Sequence, residues 1–312
     1  PHKFENVTEA IMKIRENEKP VNDQYIAPFI IVENGEPIGK ISDNDSVIWY
    51  NFRADRAIEA AKAFELDDFP YFDRGERPNV YFAGMSEYDA DNHIPSGFLV
   101  SPVSITNTLA DLLDANHMHQ YAISETVKYG HITYYFDGNR KLSGDLHTYV
   151  EIKSDEDTSR FVLEPWMKSA EITEALVGAI KSGKYQFVRV NYPNGDMVGH
   201  FGQLEPGIEA VLAVDMALKQ VFAAVDEMGG VAVVTADHGN VEELVYEENG
   251  LPKTSHTTSP VLFAIYDNTE NASRYEMVYG DFGLANVAAT IAVLMGLTPN
   301  EKWEQSMIRE KE

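Results

Sequence analysis

Apolar and polar positions fall along the chain into blocks whose spacing predicts separate strands and helices. An apolar run at 29–32 is followed by the turn-forming stretch 33–37, which predicts a strand that ends in a turn. Similar apolar runs predict further strands at 46–50, 120–123, 132–136, 186–191, 231–235 and 261–266. Amphipathic spacing predicts helices at 53–64, 105–115, 169–181, 205–228 and 284–294, the second of them capped by Thr106 or Asn107.

The order of these elements indicates the fold class. From about residue 103, helices alternate with strands whose sequences are almost continuously apolar, which is typical of a mainly parallel sheet with helices on both faces. The pattern of strands and helices before residue 103 is typical of the end of another α/β domain. We therefore predict a boundary near Pro102, with part of one α/β domain at 1–102 and most of a second at 103–312.

Composition and charge narrow the classes of function. The formal net charge is −25, so the chain would repel the phosphate backbone of nucleic acids, and we expect no nucleic-acid partner. To bind a small phosphorylated ligand, the protein would need bound cations and a few well-placed basic side chains that make the local electrostatic potential positive. The absence of cysteine excludes disulfides, thiolate nucleophiles and cysteine metal sites. Neither a signal peptide nor an apolar run of roughly 18 residues is visible, so we expect a cytoplasmic protein without a membrane partner.

Residues able to bind a metal follow two of the predicted strands. Asp196 and His200 come after the strand at 186–191, and their spacing of four places both on one face of a helical turn. Asp237 and His238 come directly after the strand at 231–235, and His256 precedes the strand at 261–266. Because ligands of open α/β sheets bind at the carboxyl ends of the strands, we expect these five side chains to converge.

Simpler explanations exist for each motif taken alone. An Asp and a His four residues apart often occur by chance, and an Asp-His pair after a strand can cap a helix. Together the three segments offer nitrogen and oxygen ligands without sulfur, a set that suits Mn, Zn or Co, and Mg less well. The remaining histidines are expected at the surface or behind a ligand: His2, His93, His117, His119, His131 and His147.

Basic residues suited to phosphate lie in two other segments. Arg53 and Arg56 share a face at a predicted helix start, where guanidinium forks and the helix N-terminus both favour anions. Asp55 lies between them, so a surface helix with salt bridges remains an equal alternative. Lys128 lies near the start of a predicted strand and is an ordinary lysine when its segment is taken by itself.

These segments together resemble cofactor-independent phosphoglycerate mutase, a family of the alkaline phosphatase superfamily. The matching segments follow family order over most of the chain: NFRADRA at 51–57, FAGMSEYD at 82–89, ISETVKYGH at 123–131, VNYPNGDMVGH at 190–200, VVTADHGN at 233–240 and TSHTTSP at 254–260. The resemblance implies an alkaline-phosphatase-like domain at 103–312. It also implies that 1–102 is the C-terminal part of a transferase domain that binds substrate.

The resemblance further implies two divalent metal ions, most suitably Mn, with Co, Zn or Mg as alternatives. Asp196, His200 and His256 match ligands of one ion, and Asp237 and His238 match ligands of the other. Three residues match those that hold the substrate phosphate and carboxylate: Arg53, Arg56 and Lys128. The family interconverts 3-phosphoglycerate and 2-phosphoglycerate in glycolysis and gluconeogenesis through a phosphoserine that the metals help to form.

Several family features have no match in this sequence. The opening strand with its metal-binding Asp and the segment that bears the nucleophilic serine are both missing. We therefore expect that this chain, as a monomer, binds at most one ion well and does not turn over without its N-terminal segment. The alternatives are another enzyme of the superfamily, such as a phosphopentomutase or a phosphodiesterase, and a non-catalytic metal-binding fragment.

Overall fold

The computed structural model describes residues 2–17, 26–89, 92–101 and 105–311. The chain divides into two compact units, Pro1–Pro102 and Val103–Glu312. Both units combine helices with parallel strands, which confirms the predicted α/β class. Within the described ranges, no helix is long and apolar enough to cross a membrane.

The first unit contains two small sheets. Its elements are β1 (His2–Phe4), α1 (Val7–Asn17), β2 (Phe29–Glu33), β3 (Glu36–Pro37), β4 (Ser46–Trp49), α2 (Ala54–Glu65), β5 (Tyr81–Ser86) and β6 (Phe98–Val100). In one sheet β1 runs parallel to β2, and β3 pairs antiparallel with β2 after the predicted turn. The other sheet is parallel throughout, in the order β4-β5-β6.

Helix α2 packs on the parallel sheet of the first unit. Ala57 and Ala61 are fully buried against Phe82 of β5, because small side chains let the helix approach the sheet closely. The guanidinium groups of Arg74 and Arg77 donate to carbonyl oxygens at the end of the helix, which offsets the negative end of its dipole. Since α2 connects two parallel strands, Arg53 at its start lies at the carboxyl end of β4.

The second unit is built around a three-stranded parallel sheet. Its elements are α3 (Leu109–Ala115), β7 (Gln120–Glu125), α4 (Thr126–Gly130), β8 (His147–Ile152), α5 (Ser169–Lys181), β9 (Phe187–Asn191), α6 (Asn194–Gly199), α7 (Leu204–Glu227), β10 (Ala232–Thr235), β11 (Phe263–Tyr266), β12 (Tyr275–Met277), α8 (Val287–Leu294) and β13 (Ile308–Glu310). The parallel sheet has the order β8-β7-β9, so β7 is central. Two antiparallel pairs, β10-β11 and β12-β13, complete the unit.

The two faces of the parallel sheet differ in polarity. Ile123 of β7 packs with Ile172 and Leu176 of α5 and with Val221 of α7, and these side chains form the apolar core. The opposite face carries the buried Arg189 of β9. This alternation follows from the period of two along a strand, because Val188 and Val190 join the core while Arg189 between them points away.

A buried polar network covers that opposite face. Nη2 of Arg189 lies 3.0 Å from Oδ1 of Asp137, and Nη1 donates to Oε1 of Gln120 at 3.0 Å. The hydroxyl of Tyr149 donates to the other oxygen of Asp137 at 2.6 Å. Burial raises the pKa of Asp137, although Arg189 and Tyr149 act in the opposite direction. The network therefore compensates the desolvation of a fully buried carboxyl group only in part.

Two predicted elements were wrong. The segment 132–136 forms no strand, because the chain continues from α4 into a wider helical turn at His131–Tyr135. Helix α3 begins at Leu109 rather than at 105, and its cap is Thr108 instead of Thr106 or Asn107. Thr108 accepts the N–H of Asp111 at 3.3 Å while the Asp111 carboxylate accepts the N–H of Thr108 at 2.9 Å, so a reciprocal capping box starts the helix there.

Candidate metal centre

Three segments of the second unit bring acidic and imidazole side chains together. Asp196 lies in α6, directly after β9, and His200 follows at the end of the same helix. Asp237 and His238 follow the end of β10, and His256 precedes β11. The spacing of Asp196 and His200 predicted a shared helical turn, and α6 supplies it, with the N–H of His200 donating to the carbonyl of Asp196 at 3.2 Å.

The imidazoles converge on one carboxylate oxygen. Nε2 of His256 lies 3.0 Å from Oδ1 of Asp196, Nε2 of His200 lies 3.2 Å from it, and Nε2 of His238 lies 3.9 Å from it. The rings of His238 and His256 are stacked with their centroids 3.6 Å apart and their planes 16° apart. Potential ligand atoms of Asp196, His238 and His256 all lie within 4.8 Å of one another. Such a cluster can enclose a single cation.

The hydrogen-bond partners of His200 and His256 orient both rings towards Asp196. Nδ1 of His200 lies 2.6 Å from the carbonyl of Thr254, which can only accept, so Nδ1 donates to it and Nε2 points to Oδ1 of Asp196 at 3.2 Å. Nε2 of His256 is buried and makes no hydrogen bond within the described part of the chain, although it faces Asp196. A cation between them would satisfy both the unprotonated form of this buried nitrogen and the carboxylate oxygen.

The pKa shifts in the cluster have identifiable causes. Burial raises the pKa of Asp196, but the hydrogen bond with His200 and the charge of Lys128 outweigh it and hold that pKa far below its usual range. The hydrogen bond with Asp196 raises the pKa of His200, although burial opposes the shift. Burial lowers the pKa of His256, which favours its neutral form. An ionised carboxylate and a neutral imidazole are the forms that coordinate metals.

Lys128 and Asp237 lie at the margins of this cluster. The ammonium of Lys128 lies 2.6 Å from Oδ2 of Asp196. A residue predicted to bind substrate is therefore paired with a residue predicted to bind metal. Asp237 is more exposed, and its Oδ2 lies 3.5 Å from Nε2 of His238. The roles of these residues in binding substrate or metal stay predictions.

One residue of the site was missed by the sequence analysis. Asn240 is buried, and its amide Nδ2 lies 3.1 Å from Oδ1 of Asp196 and 3.2 Å from the carbonyl of Asp196. An asparagine two positions after a candidate ligand carries no spacing signal of its own, so only the folded geometry identifies it.

Arg53 and Arg56 belong to the other compact unit. Arg53 immediately precedes α2, and its N–H donates to Oδ1 of Asn51 at 2.9 Å. Arg56 lies in the first turn of α2, and both arginines are exposed. Exposed guanidinium groups at a helix N-terminus suit an anion, and their contact with substrate stays a prediction.

Comparison with known proteins decides the family. The sequence profile of the metalloenzyme superfamily matches residues 9–299. The chain belongs to the metalloenzyme superfamily. This membership fits the convergence of imidazoles and carboxylates in the second unit.

Two relatives that are similar to this chain carry the same name. The 2,3-bisphosphoglycerate-independent phosphoglycerate mutase of Ricinus communis is 44% identical over 323 residues, which cover 99% of this chain and 58% of the relative. The corresponding protein of Trypanosoma brucei brucei is 44% identical over 320 residues, with coverages of 98% and 58%. The resemblance to cofactor-independent phosphoglycerate mutases is therefore confirmed, and phosphopentomutase is not favoured.

A solved structure has a closely similar fold. The crystal structure of Leishmania mexicana phosphoglycerate mutase at low cobalt concentration matches this chain with a TM-score of 0.90 and 43% sequence identity. The match covers 99% of this chain and 59% of that one. The chain thus spans less than two thirds of the length of the relatives that it matches.

Proposed function

We propose that this chain is the metal-binding part of an enzyme that interconverts 3-phosphoglycerate and 2-phosphoglycerate through a phosphoserine. The observation that carries the proposal is the convergence of three imidazole nitrogens on Oδ1 of Asp196. Similarity to phosphoglycerate mutases over 99% of the chain supports the choice of reaction. The activity is proposed for the whole protein, since the relatives are much longer than this chain.

The proposal includes two divalent ions, with Mn the most suitable and Co, Zn and Mg as alternatives. Asp196, His200 and His256 would hold the first ion. Asp237 and His238 would contribute to the second, which also needs ligands from elsewhere, because two protein ligands do not close a site. When bound, the cations would lower the pKa of a serine nucleophile and neutralise charge on the transferring phosphoryl group.

The basic side chains would bind the substrate. Arg53 and Arg56 present planar forks that match phosphate or carboxylate oxygens, and Lys128 supplies a compact positive charge. In a chain with a net charge of −25, such local cations are needed to attract an anionic substrate. We assign 1–102 to the C-terminal part of a substrate-binding transferase domain and 103–312 to the phosphatase-like domain.

The family resemblance supports the remaining parts of the proposal. We place the reaction in glycolysis and gluconeogenesis, in the cytoplasm, with a small phosphorylated substrate and a monomeric enzyme. The serine nucleophile would come from a family segment that has no match in these 312 residues, and the present chain would be inactive without it.

A chimeric enzyme tests the proposal. The part of the Ricinus communis relative that this chain does not match is joined to this chain, and formation of 2-phosphoglycerate from 3-phosphoglycerate is measured with added Mn²⁺. We expect turnover by the chimera and a loss of at least about 100-fold on His256→Asn, because the imidazole ligand is removed.

His117→Asn is the matched control, because His117 is exposed and has a φ of 55°, which asparagine tolerates. This variant should keep full activity. A folded chimera that binds Mn²⁺ but forms no 2-phosphoglycerate would show that the proposed reaction is wrong.

A further inference from the structure

One carboxylate joins the two loops that carry His238 and His256. Oε2 of Glu242 accepts the backbone N–H of Asn240 at 2.6 Å, and Oε1 accepts the hydroxyl of Thr257. The N–H of Thr257 also donates to the carbonyl of Gly239 at 2.9 Å. Because Gly239 and Thr257 are the immediate neighbours of the two histidines, these bonds fix the separation of the stacked rings.

A buried amide joins the same loops to the segment that carries Asp196. Asn240 is only 4% exposed, and its Nδ2 lies 3.1 Å from Oδ1 of Asp196 and 3.2 Å from its carbonyl oxygen. A Cβ built at Gly199 would overlap Oδ1 of Asn240, so the missing side chain at this position makes room for the amide. The fit between Asn240 and Gly199 fixes α6 against the loop that follows β10.

We propose that Asn240 and Glu242 form a clamp that sets the spacing of Asp196 and His256, which would hold the first divalent cation, relative to His238, which would contribute to the second. Both are positioning residues. The amide nitrogen of Asn240 has no lone pair available for a metal, so it orients the Asp196 carboxylate without competing for the ion. Glu242 in turn holds the backbone of Asn240. The inference rests on the metal centre proposed above.

Titration of the full chain with Co²⁺ tests the role of Asn240. Asn240→Ser removes the amide that reaches Asp196, and we expect Co²⁺ affinity to fall about 10- to 100-fold, as for other partners of metal ligands. We also expect a changed d–d absorption spectrum, because the coordination geometry responds to displaced ligands.

Asn286→Ser is the matched control for this substitution. Asn286 is 6% exposed, its Nδ2 donates to the carbonyl of Gln305 at 2.8 Å, and its Oδ1 accepts the N–H of Gly283 at 2.8 Å. The control therefore removes an equally buried amide whose bonds involve none of the candidate ligands. We expect it to lower stability without altering Co²⁺ affinity or the spectrum.

A second pair of variants covers the case in which Asn240→Ser does not fold. Glu242→Ala removes an exposed side chain and should leave the chain folded, yet it should weaken Co²⁺ binding about tenfold. Glu243→Ala removes the same charge from the adjacent residue, whose Oε2 bonds Lys253 at 2.8 Å. Because both variants change the net charge equally, a difference between them reports geometry rather than long-range attraction.

The possible results distinguish failure of the proposed clamp from failure of the proposed metal centre. Weaker binding with an altered spectrum in Asn240→Ser or Glu242→Ala, but in neither control, supports the clamp. If the unmodified chain binds Co²⁺ and both Glu242→Ala and any folded Asn240→Ser protein bind it with the same affinity and spectrum, the clamp is wrong while the metal centre stands. A folded unmodified chain that binds no Co²⁺ overturns both.

Discussion

The ammonium of Lys128 lies 2.6 Å from Oδ2 of Asp196, and the two side chains are only 8% and 12% exposed. This ion pair occupies one oxygen of the carboxylate and leaves Oδ1 to face the imidazoles. The two oxygens of Asp196 therefore have different partners, which gives the carboxylate one defined orientation.

Replacement of Lys128 tests how strongly this pair stabilises the fold. Lys128→Met leaves a nearly buried carboxylate without its cation, so we expect the free energy of unfolding to fall by about 3 kcal/mol. Urea denaturation without added metal measures the loss. Lys219→Met on the exposed face of α7 is the control and should change stability by less than about 0.5 kcal/mol. Equal effects of the two substitutions would contradict the prediction.

Because Gly199 lies close to Asn240, we expect that an alanine at position 199 lowers the stability of the fold. Gly199→Ala places a methyl group where Oδ1 of Asn240 lies, and we expect a loss of about 1–3 kcal/mol from overpacking. Beside Gly178 in α5, no atom of the described chain outside the local helix backbone would lie within 4 Å of an added methyl group, so Gly178→Ala should stabilise the helix by about 0.5–1 kcal/mol. Thermal unfolding of both variants checks the opposite signs, and a stabilised Gly199→Ala protein would rule out the described fit.

The buried network on the polar face of the sheet predicts how strongly different substitutions destabilise the fold. Arg189→Met leaves the 1% exposed Asp137 carboxyl without its cation and should cost about 3–5 kcal/mol. Tyr149→Phe removes a single hydrogen bond to the same carboxyl and should cost about 2 kcal/mol.

An exposed pair provides the control for these two variants. Arg309 pairs with Glu276 at the surface, where an ion pair contributes little, so Arg309→Met should change stability by less than about 1 kcal/mol. If urea denaturation shows that Arg309→Met destabilises the chain as much as Arg189→Met does, burial is not the reason why the Arg189–Asp137 pair is important.

The capping box of α3 predicts a pH dependence. Burial raises the pKa of Asp111, but hydrogen bonds from Arg140 and Thr108 outweigh it and hold this pKa below its usual value of 3.8. Because the pKa is lower in the folded state, the ionised carboxylate stabilises the fold above the unfolded value. This stabilisation is lost as the pH falls through the folded pKa.

Asp111→Asn should therefore be less stable than the unmodified chain by about 1 kcal/mol near neutral pH, since the group is partly screened by solvent. The difference should shrink as the pH falls below about 4. Urea denaturation from neutral to acid pH measures it. A difference that is constant over this range would show that the charge of Asp111 is not its cause.

The elements that could be predicted from the sequence are those in which the pattern of apolar residues directly reflects which side chains are buried. β9 (FVRVN) and β10 (AVVT) are rich in β-branched residues, and their carboxyl ends lead into the segments of Asp196 and His238, where ligands of open α/β sheets bind. The strand β8 was not predicted, because its sequence HTYVEI is half-buried throughout and shows no clear alternation.

The error at 132–136 has a tertiary cause. The residues Ile-Thr-Tyr-Tyr-Phe have strong β propensity, yet they continue a helical turn in the structure. The hydroxyl of Thr133 donates to the carbonyl of Tyr129 at 2.8 Å, and Nε of Arg189 donates to the carbonyl of Ile132 at 2.7 Å. Contacts with a strand more than fifty residues later thus override local propensity, and sequence spacing does not reveal them.

The residues of the metal centre come from well-separated parts of the chain: Asp196 in α6, His238 after β10 and His256 before β11. In the unfolded chain these side chains have no fixed separation, so the full set of ligands exists only when the second unit is folded. A cation held by Asp196 and His256 would act as a cross-link that closes a long loop of the chain. Loss of the Co²⁺ spectrum would then coincide with global unfolding of this unit and would report its integrity without any added label.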